Sequence, residues 1–291
     1  MTSSTSGFIF GLIAAWVLWK GLSDMFSRPA FQRVNYRGAP VATSAGLVVT
    51  AAVFFAAALI ALIEAMGLGR YWPGLAPLVS TSLLAAGFGM LGLLDDLAVD
   101  EGSSGYRGHV KALMKGRLTA GSLKMLAGPA VAIVVVQPTA DGSVLKLLLH
   151  GAIVALAANL ANLFDRAPGR VTKVSTLALG VLTVATAVPY LSHGPRLLPG
   201  LAGAFTMLGA AWGLLRAELN EELMLGDAGA NPLGAAIGLA VVFTQSLGVR
   251  IGVLVLLLIM NLISERVSFT KVIRSVPPLR MLDDLGRPRF E

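Results

Sequence analysis

The chain has 291 residues, of which 55% are apolar and 13% charged, about half the charged fraction of an ordinary soluble domain. It has no cysteine, which excludes disulfides and thiolate metal sites, and its three histidines (His109, His150, His193) are too scattered to mark a zinc site, so any metal must be held by oxygen. The net charge of +7 is read first as membrane topology, not nucleic-acid binding, because positively charged loops stay cytoplasmic.

A membrane span needs roughly 17–25 apolar residues to cross about 30 Å of hydrocarbon. Nine candidate runs appear in chain order: Gly7–Phe26, Val41–Ile63, Leu75–Leu94, Leu118–Val136, Leu147–Phe164, Val174–Leu191, Leu197–Leu215, Pro232–Leu247 and Val249–Ile263. The fourth contains Lys124, and the last two are short enough to form a tight hairpin around Gly248. Continuous apolar runs of this length satisfy their backbone in lipid as helices. The expected fold is therefore all-α: a polytopic transmembrane bundle of about nine spans in a multi-pass cell-membrane protein. Residues 1–291 read as one domain, with 264–291 as a cytoplasmic tail.

The first run has no positive charge before it and Lys20 after it. That is the reverse of a secretory signal, and it predicts a retained anchor with the N-terminus outside. Nine spans then leave the C-terminus in the cytoplasm. All of the 23 Lys and Arg except Arg70, Lys146, Arg196 and Arg250 fall on the cytoplasmic side, which supports this orientation.

Four cytoplasmic segments carry chemistry-bearing residues. Asn35-Tyr36-Arg37-Gly38-Ala39-Pro40 leads through Thr43-Ser44-Ala45-Gly46 into the second span, and read alone it is a helix start with a topogenic charge. Asp95-Asp96 closes the third span, read either as a solvated helix end or as adjacent carboxylates that call for a compensating cation, a divalent ion or a nearby Lys or Arg. Arg107, His109, Lys111, Lys115 and Arg117 follow, a basic run suited to lipid headgroups, a phosphate or topology alone. Asn159, Asn162 and Asp165 recur every three residues at the end of the fifth span and share a helical face. Polar side chains there usually face a polar cavity. Finally, Gly226-Asp227-Ala228-Gly229 precedes Asn231-Pro232. It is a Gly-flanked aspartate where a helix N-terminus favours an anion or a metal-bound phosphate, or else a capped turn.

These blocks, in this order and over residues 35–234, resemble the polyprenyl-phosphate N-acetylhexosamine-1-phosphate transferase superfamily. Arg37 through Gly46 is similar to its N-terminal Pro/Thr/Gly-Gly block, Leu94-Asp95-Asp96 to its paired aspartates, Asn159 to Asp165 to its Asn-x-x-Asn-x-x-Asp block, and Gly226 to Gly229 to its Gly-Asp-x-Gly block. The chain departs from the pattern where Pro168 stands in place of a second aspartate, and it has no counterpart of the family's histidine-rich loop.

The resemblance implies transfer of a sugar-1-phosphate from a UDP-sugar to a polyprenyl phosphate, with release of UMP, to start a lipid-linked cell-envelope glycan. It implies Mg²⁺ held by Asp227 with Asp95 and Asp165, catalytic roles for Asp95, Asp96 and Asp165, and substrate contacts from Arg37, Thr43, Lys111, Lys115, Asn159 and Asn162. The implied partners are the polyprenyl phosphate lipid, the UDP-sugar and the membrane, with room for a homodimer and no nucleic acid. The departures leave a second expectation open, a non-catalytic homologue that binds or translocates a polyprenyl-linked or phosphorylated lipid. An ion-coupled transporter is a third, weakened because Lys124 is almost the only ionisable group inside a span.

Overall fold

The computed structural model describes residues 3–35, 37–68, 72–98, 114–116, 119–188 and 199–288. Lys111 and most of the basic run around it lie outside the described residues. Helices occupy all nine apolar segments: α1 (Ser3–Phe26), α2 (Gly46–Ala65), α3 (Leu75–Leu97), α4 (Ala120–Val136), α5 (Val144–Phe164), α6 (Arg170–Ala187), α7 (Ala202–Leu219), α8 (Asp227–Thr244) and α9 (Leu247–Ser264). Two short helices, α10 (Phe269–Ser275) and α11 (Pro277–Asp284), follow. The class is all-α, and seven of the helices (all of the nine but α6 and α7) are long and apolar enough to cross a membrane.

The outward faces fit lipid as solvent. On α2, Val49, Ala52, Val53, Ala56 and Ile60 recur at helical spacing and are buried, while Phe54, Phe55, Leu59 and Leu62 on the other side are exposed. In water such a belt would drive aggregation, whereas in hydrocarbon it costs nothing. Small residues let the helix axes close in: a side chain at Gly11 or Gly209 would run into the backbone of Thr206 or Phe8, which is how α1 and α7 pack.

α8 is the central helix. It is buried almost continuously from Ala228 to Val242 among α2, α3, α5 and α7. Its glycines make this possible, since any Cβ at Gly234 would strike Ala157 and Ala161 on α5. The first turn of α8 is just as crowded, against Gly46 of α2 and Gly92 of α3.

Two expected boundaries are corrected. The eighth helix starts at Asp227, not Pro232: proline is tolerated near a helix start, so Pro232 sits inside α8 and does not begin it. The second starts at Gly46, not Val41, because Pro40–Ala42 forms β2, which pairs antiparallel with β1 (Gln32–Val34). The Asn35 side chain closes this hairpin by accepting the N–H groups of Arg37 and Ala39 at 2.9 and 3.0 Å. Ala42 also exchanges backbone hydrogen bonds with Glu222 and Met224, so the hairpin pins the segment that leads into α8.

Candidate functional site

Four elements converge at the start of α8. The last turn of α3 delivers Asp95 and Asp96, Asp165 caps the end of α5, α4 brings Lys124, and Gly226 precedes Asp227. Gly226 has φ of 66°, and a side chain there would collide with the Asp96 carboxylate, so the position requires glycine.

The first backbone N–H groups of a helix have no intrahelical partner and carry the positive end of its dipole. Here they are taken by the protein's own acids. The two Asp96 oxygens accept the N–H groups of Asp227 and Ala228 at 3.0 and 3.2 Å, and the Asp165 carboxylate accepts that of Gly226. Burial, reinforced by Glu218, Asp227 and Asp96 nearby, pushes the Asp165 carboxyl well above the usual carboxylate range. Glu218, in the last turn of α7, is pushed up to about 7 by burial, against the opposing pull of the Gly169 N–H, Lys173 and Arg287.

Asp95 and Asp227 form a second, distinct arrangement. The Lys124 ammonium contacts the Asp227 carboxylate directly and lies 3.4 Å from Asp95 Oδ2. Asn162 donates from Nδ2 to the same Asp227 oxygen at 3.2 Å. One turn along α8, Asn231 is 1% exposed; its Nδ2 donates to the Asp227 carbonyl at 2.8 Å, while its Oδ1 has no partner among the described residues. A buried acceptor without a donor is costly, and the Asn231 side chain lines a cavity.

That cavity, of about 1220 Å³, runs between α4, α5 and α9. Asp95, Lys124, Asn162 and Asn231 line it, and Phe88, Met125, Pro129, Leu258 and Leu262 give it apolar walls. Asn159 also lines it but serves another contact: its Nδ2 donates to Asn261 Oδ1 on α9 at 2.6 Å, and Asn261 in turn donates to the carbonyls of Leu156 and Leu257. Two amides on one face of α5 thus part company, one in the charged cluster and one clipping α9 to α5.

The other expected site residues lie around this centre. Arg37 sits in the hairpin turn, 3.8 Å from Glu221. Thr43 is buried, its N–H donating to Phe31 O at 2.7 Å. Lys115 is exposed, and Lys111 is outside the described residues. Sequence reasoning passed over Lys124 as an irregularity in a span, although a lone charge in a membrane helix is itself a functional signal. It names Asn231 only as a neighbour of the Asp227 block, with no role, and does not single out Asn261.

Among the described residues no group of three or more His, Asp or Glu side chains gathers closely enough to hold a metal ion alone. The oxygen donors at hand are the Asp95 and Asp227 carboxylates and the orphaned Asn231 amide oxygen. That set suits Mg²⁺, which commonly takes one or two carboxylates and completes its shell with water and substrate phosphate. The arrangement defines a membrane protein with an acid–lysine cluster at the polar end of an apolar-walled cavity. No known family model matches the chain, and no curated protein does, so the resemblance rests on the four sequence blocks.

Proposed function

We propose that this protein transfers a sugar-1-phosphate, of the N-acetylhexosamine type, from a UDP-sugar to a polyprenyl phosphate at the cytoplasmic face of the cell membrane, as a divergent member of the superfamily it resembles. The observation that carries the reading is the cavity itself: charged groups at one end and apolar walls along the rest suit an amphiphile with an anionic head. The charge asymmetry of the loops supports about nine spans with the N-terminus outside and the C-terminus cytoplasmic. Labelling of Arg70→Cys and Arg274→Cys from opposite sides of the membrane tests that topology.

In the reaction an oxygen of the lipid phosphate attacks the sugar-bearing phosphorus of the donor. A new phosphorus–oxygen bond forms, the bond to the inner phosphate breaks, and UMP leaves with the electron pair. A phosphate monoester is largely dianionic at neutral pH, so no strong base is required. The difficulty lies in bringing two anions into line. Lys124 supplies a positive charge beside the cavity, and Asn162 orients Asp227. Asp96 and Asp165 act through the backbone, holding the start of α8 so that Asp227 faces Lys124. Mg²⁺, held by Asp227 and Asp95 with Asn231 beside them, would neutralise the donor diphosphate.

A transfer assay with purified protein, Mg²⁺, polyprenyl phosphate and a panel of UDP-sugars, following UMP release, tests the proposal. The second reading, a non-catalytic lipid-binding homologue, draws on the Pro168 loop, whose carbonyl is held by Arg287 Nε at 3.1 Å. Retained binding of polyprenyl phosphate with no Mg²⁺-dependent turnover on any UDP-sugar would favour it.

A further inference from the structure

Lys124 is the only cation that contacts the Asp95 and Asp227 carboxylates among the described residues. Two carboxylates carry two negative charges and one ammonium returns one, so among the described residues the Asp95–Asp227–Lys124 cluster keeps one negative charge beside the cavity, whose other charged lining residues, Glu265 and Arg266, balance each other. An anionic headgroup arriving at this arrangement is repelled. The lysine stem is four carbons of freely rotating chain, its side chain is 18% exposed, and it borders the open cavity. The ammonium therefore has somewhere to go. The Asn231 side chain lines the same cavity, and its amide oxygen is buried and lacks a donor among the described residues, which a bound cation would satisfy and the present arrangement does not.

We propose that Lys124 and a divalent cation compete for the Asp95–Asp227 carboxylates, so that cation binding displaces the ammonium into the cavity, where it becomes the anchor for a phosphate headgroup. The consequence is an order of events. Without the cation, Lys124 is spent on its own acids. With the cation, the carboxylates are neutralised and a free ammonium faces the anion. Phosphate binding is thereby licensed by the metal without the metal having to touch the lipid. This inference rests on the cation-assisted phosphate chemistry proposed above, and its test separates the two.

The test uses the full-length purified protein and Mn²⁺ alone as the probe, read by electron paramagnetic resonance, with Lys124→Met and Asp227→Asn as variants. If Lys124 competes, Lys124→Met binds Mn²⁺ about tenfold more tightly than the native chain, and Asp227→Asn binds it at least about tenfold more weakly. A second readout follows the lysine itself: acylation of Lys124, quantified by mass spectrometry, should rise severalfold when Mg²⁺ is added to the native protein and should not respond in Asp227→Asn. Both readouts are independent of catalytic turnover. Asp227-dependent Mn²⁺ binding that is unchanged or weakened in Lys124→Met, or Lys124 labelling indifferent to Mg²⁺, overturns the competition and leaves the metal site standing. Absence of Mn²⁺ binding in both the native chain and Lys124→Met overturns the metal site and this inference together. The elution volume of each variant on size exclusion reports whether it folds.

Discussion

Two acid–base clusters, both next to the loop that follows Asp165, show opposite charge balances. Around Asp283 in α11, one carboxylate is held by two guanidinium groups, with an ammonium on the backbone carbonyl of the same residue. Arg170 donates from Nε and Nη2 at 2.7 and 2.8 Å, Arg287 donates from Nη2 at 2.8 Å, and Lys173 donates to the Asp283 carbonyl at 2.6 Å. Burial alone would raise the Asp283 carboxyl, but Arg170 and Arg287 outweigh it and hold it below the usual range. Around Asp227 the balance is reversed, with two carboxylates sharing one lysine among the described residues, beside a large cavity. A saturated pair fixes structure and a deficient one recruits a ligand: the first cluster docks the tail helices onto α6, and the second is where chemistry is to be sought. Phe269 stacked on Phe164 at 5.0 Å completes the docking of the tail beside the end of α5.

The sharpest way to break this contrast is to neutralise the deficient cluster. Asp227→Asn keeps the shape but removes the charge that attracts a cation, and UMP release should fall by at least about a hundredfold while thermal unfolding stays close to the native value. Loss of folding instead would place Asp227 in the structural class with Asp283. The saturated cluster should answer the other way. Arg170→Met removes the two-pronged partner of a buried carboxylate and leaves it Arg287 alone, which is expected to cost about 2 kcal/mol of stability, measured by thermal or denaturant unfolding, with turnover per folded molecule largely preserved.

A smaller effect lies in pH. Glu218 sits between the two clusters with its pKa moved from an ordinary 4.5 up to about 7. A carboxyl whose folded pKa is raised prefers its protonated form in the folded protein. Its contribution to stability is therefore fully present below pH about 4.5 and is lost as pH rises through about 7. Asp165, raised in the same direction, reinforces the trend. The melting temperature should fall between pH 5 and pH 8, and Glu218→Gln should flatten that slope and stabilise the protein at the upper end. A native melting temperature that rises over the same interval would refute the assignment.

Long apolar runs made the helices legible, because only a helix can satisfy so much backbone without water. Asp227 was legible from its flanking glycines. What escaped notice depended on direction. Asp95 and Asp96 read as a pair, yet neighbouring residues on a helix do not face each other, and the structure sends Asp95 toward Lys124 and Asp96 to the N–H groups of α8. The strands Gln32–Val34 and Pro40–Ala42 are three residues each, too short for a period-two pattern to stand out. The pairing of Arg170 with Asp283 spans 113 positions, and no local spacing announces it.

The smallest expected effect concerns Pro168, where the resembled family has a carboxylate. Its neighbourhood belongs to the saturated cluster: Arg287 Nε holds the Pro168 carbonyl, Gly169 follows with φ of 69°, and Arg170 is locked onto Asp283. Proline fixes its own φ near −65°, but here the backbone on either side is already pinned by bonds that an ordinary residue leaves intact. Pro168→Asp should therefore change the fold little. The new carboxylate would join Asp165 and Glu218, two groups already pushed toward their neutral forms, and would add repulsion to them while Arg287 stands close enough to absorb part of it. Turnover should shift by no more than about threefold, and the apparent pKa of the pH–stability curve should move upward. A rise in turnover of tenfold or more would instead show that the loop after Asp165 reaches the reacting phosphates, erasing the division between the two clusters on which the other expectations rest.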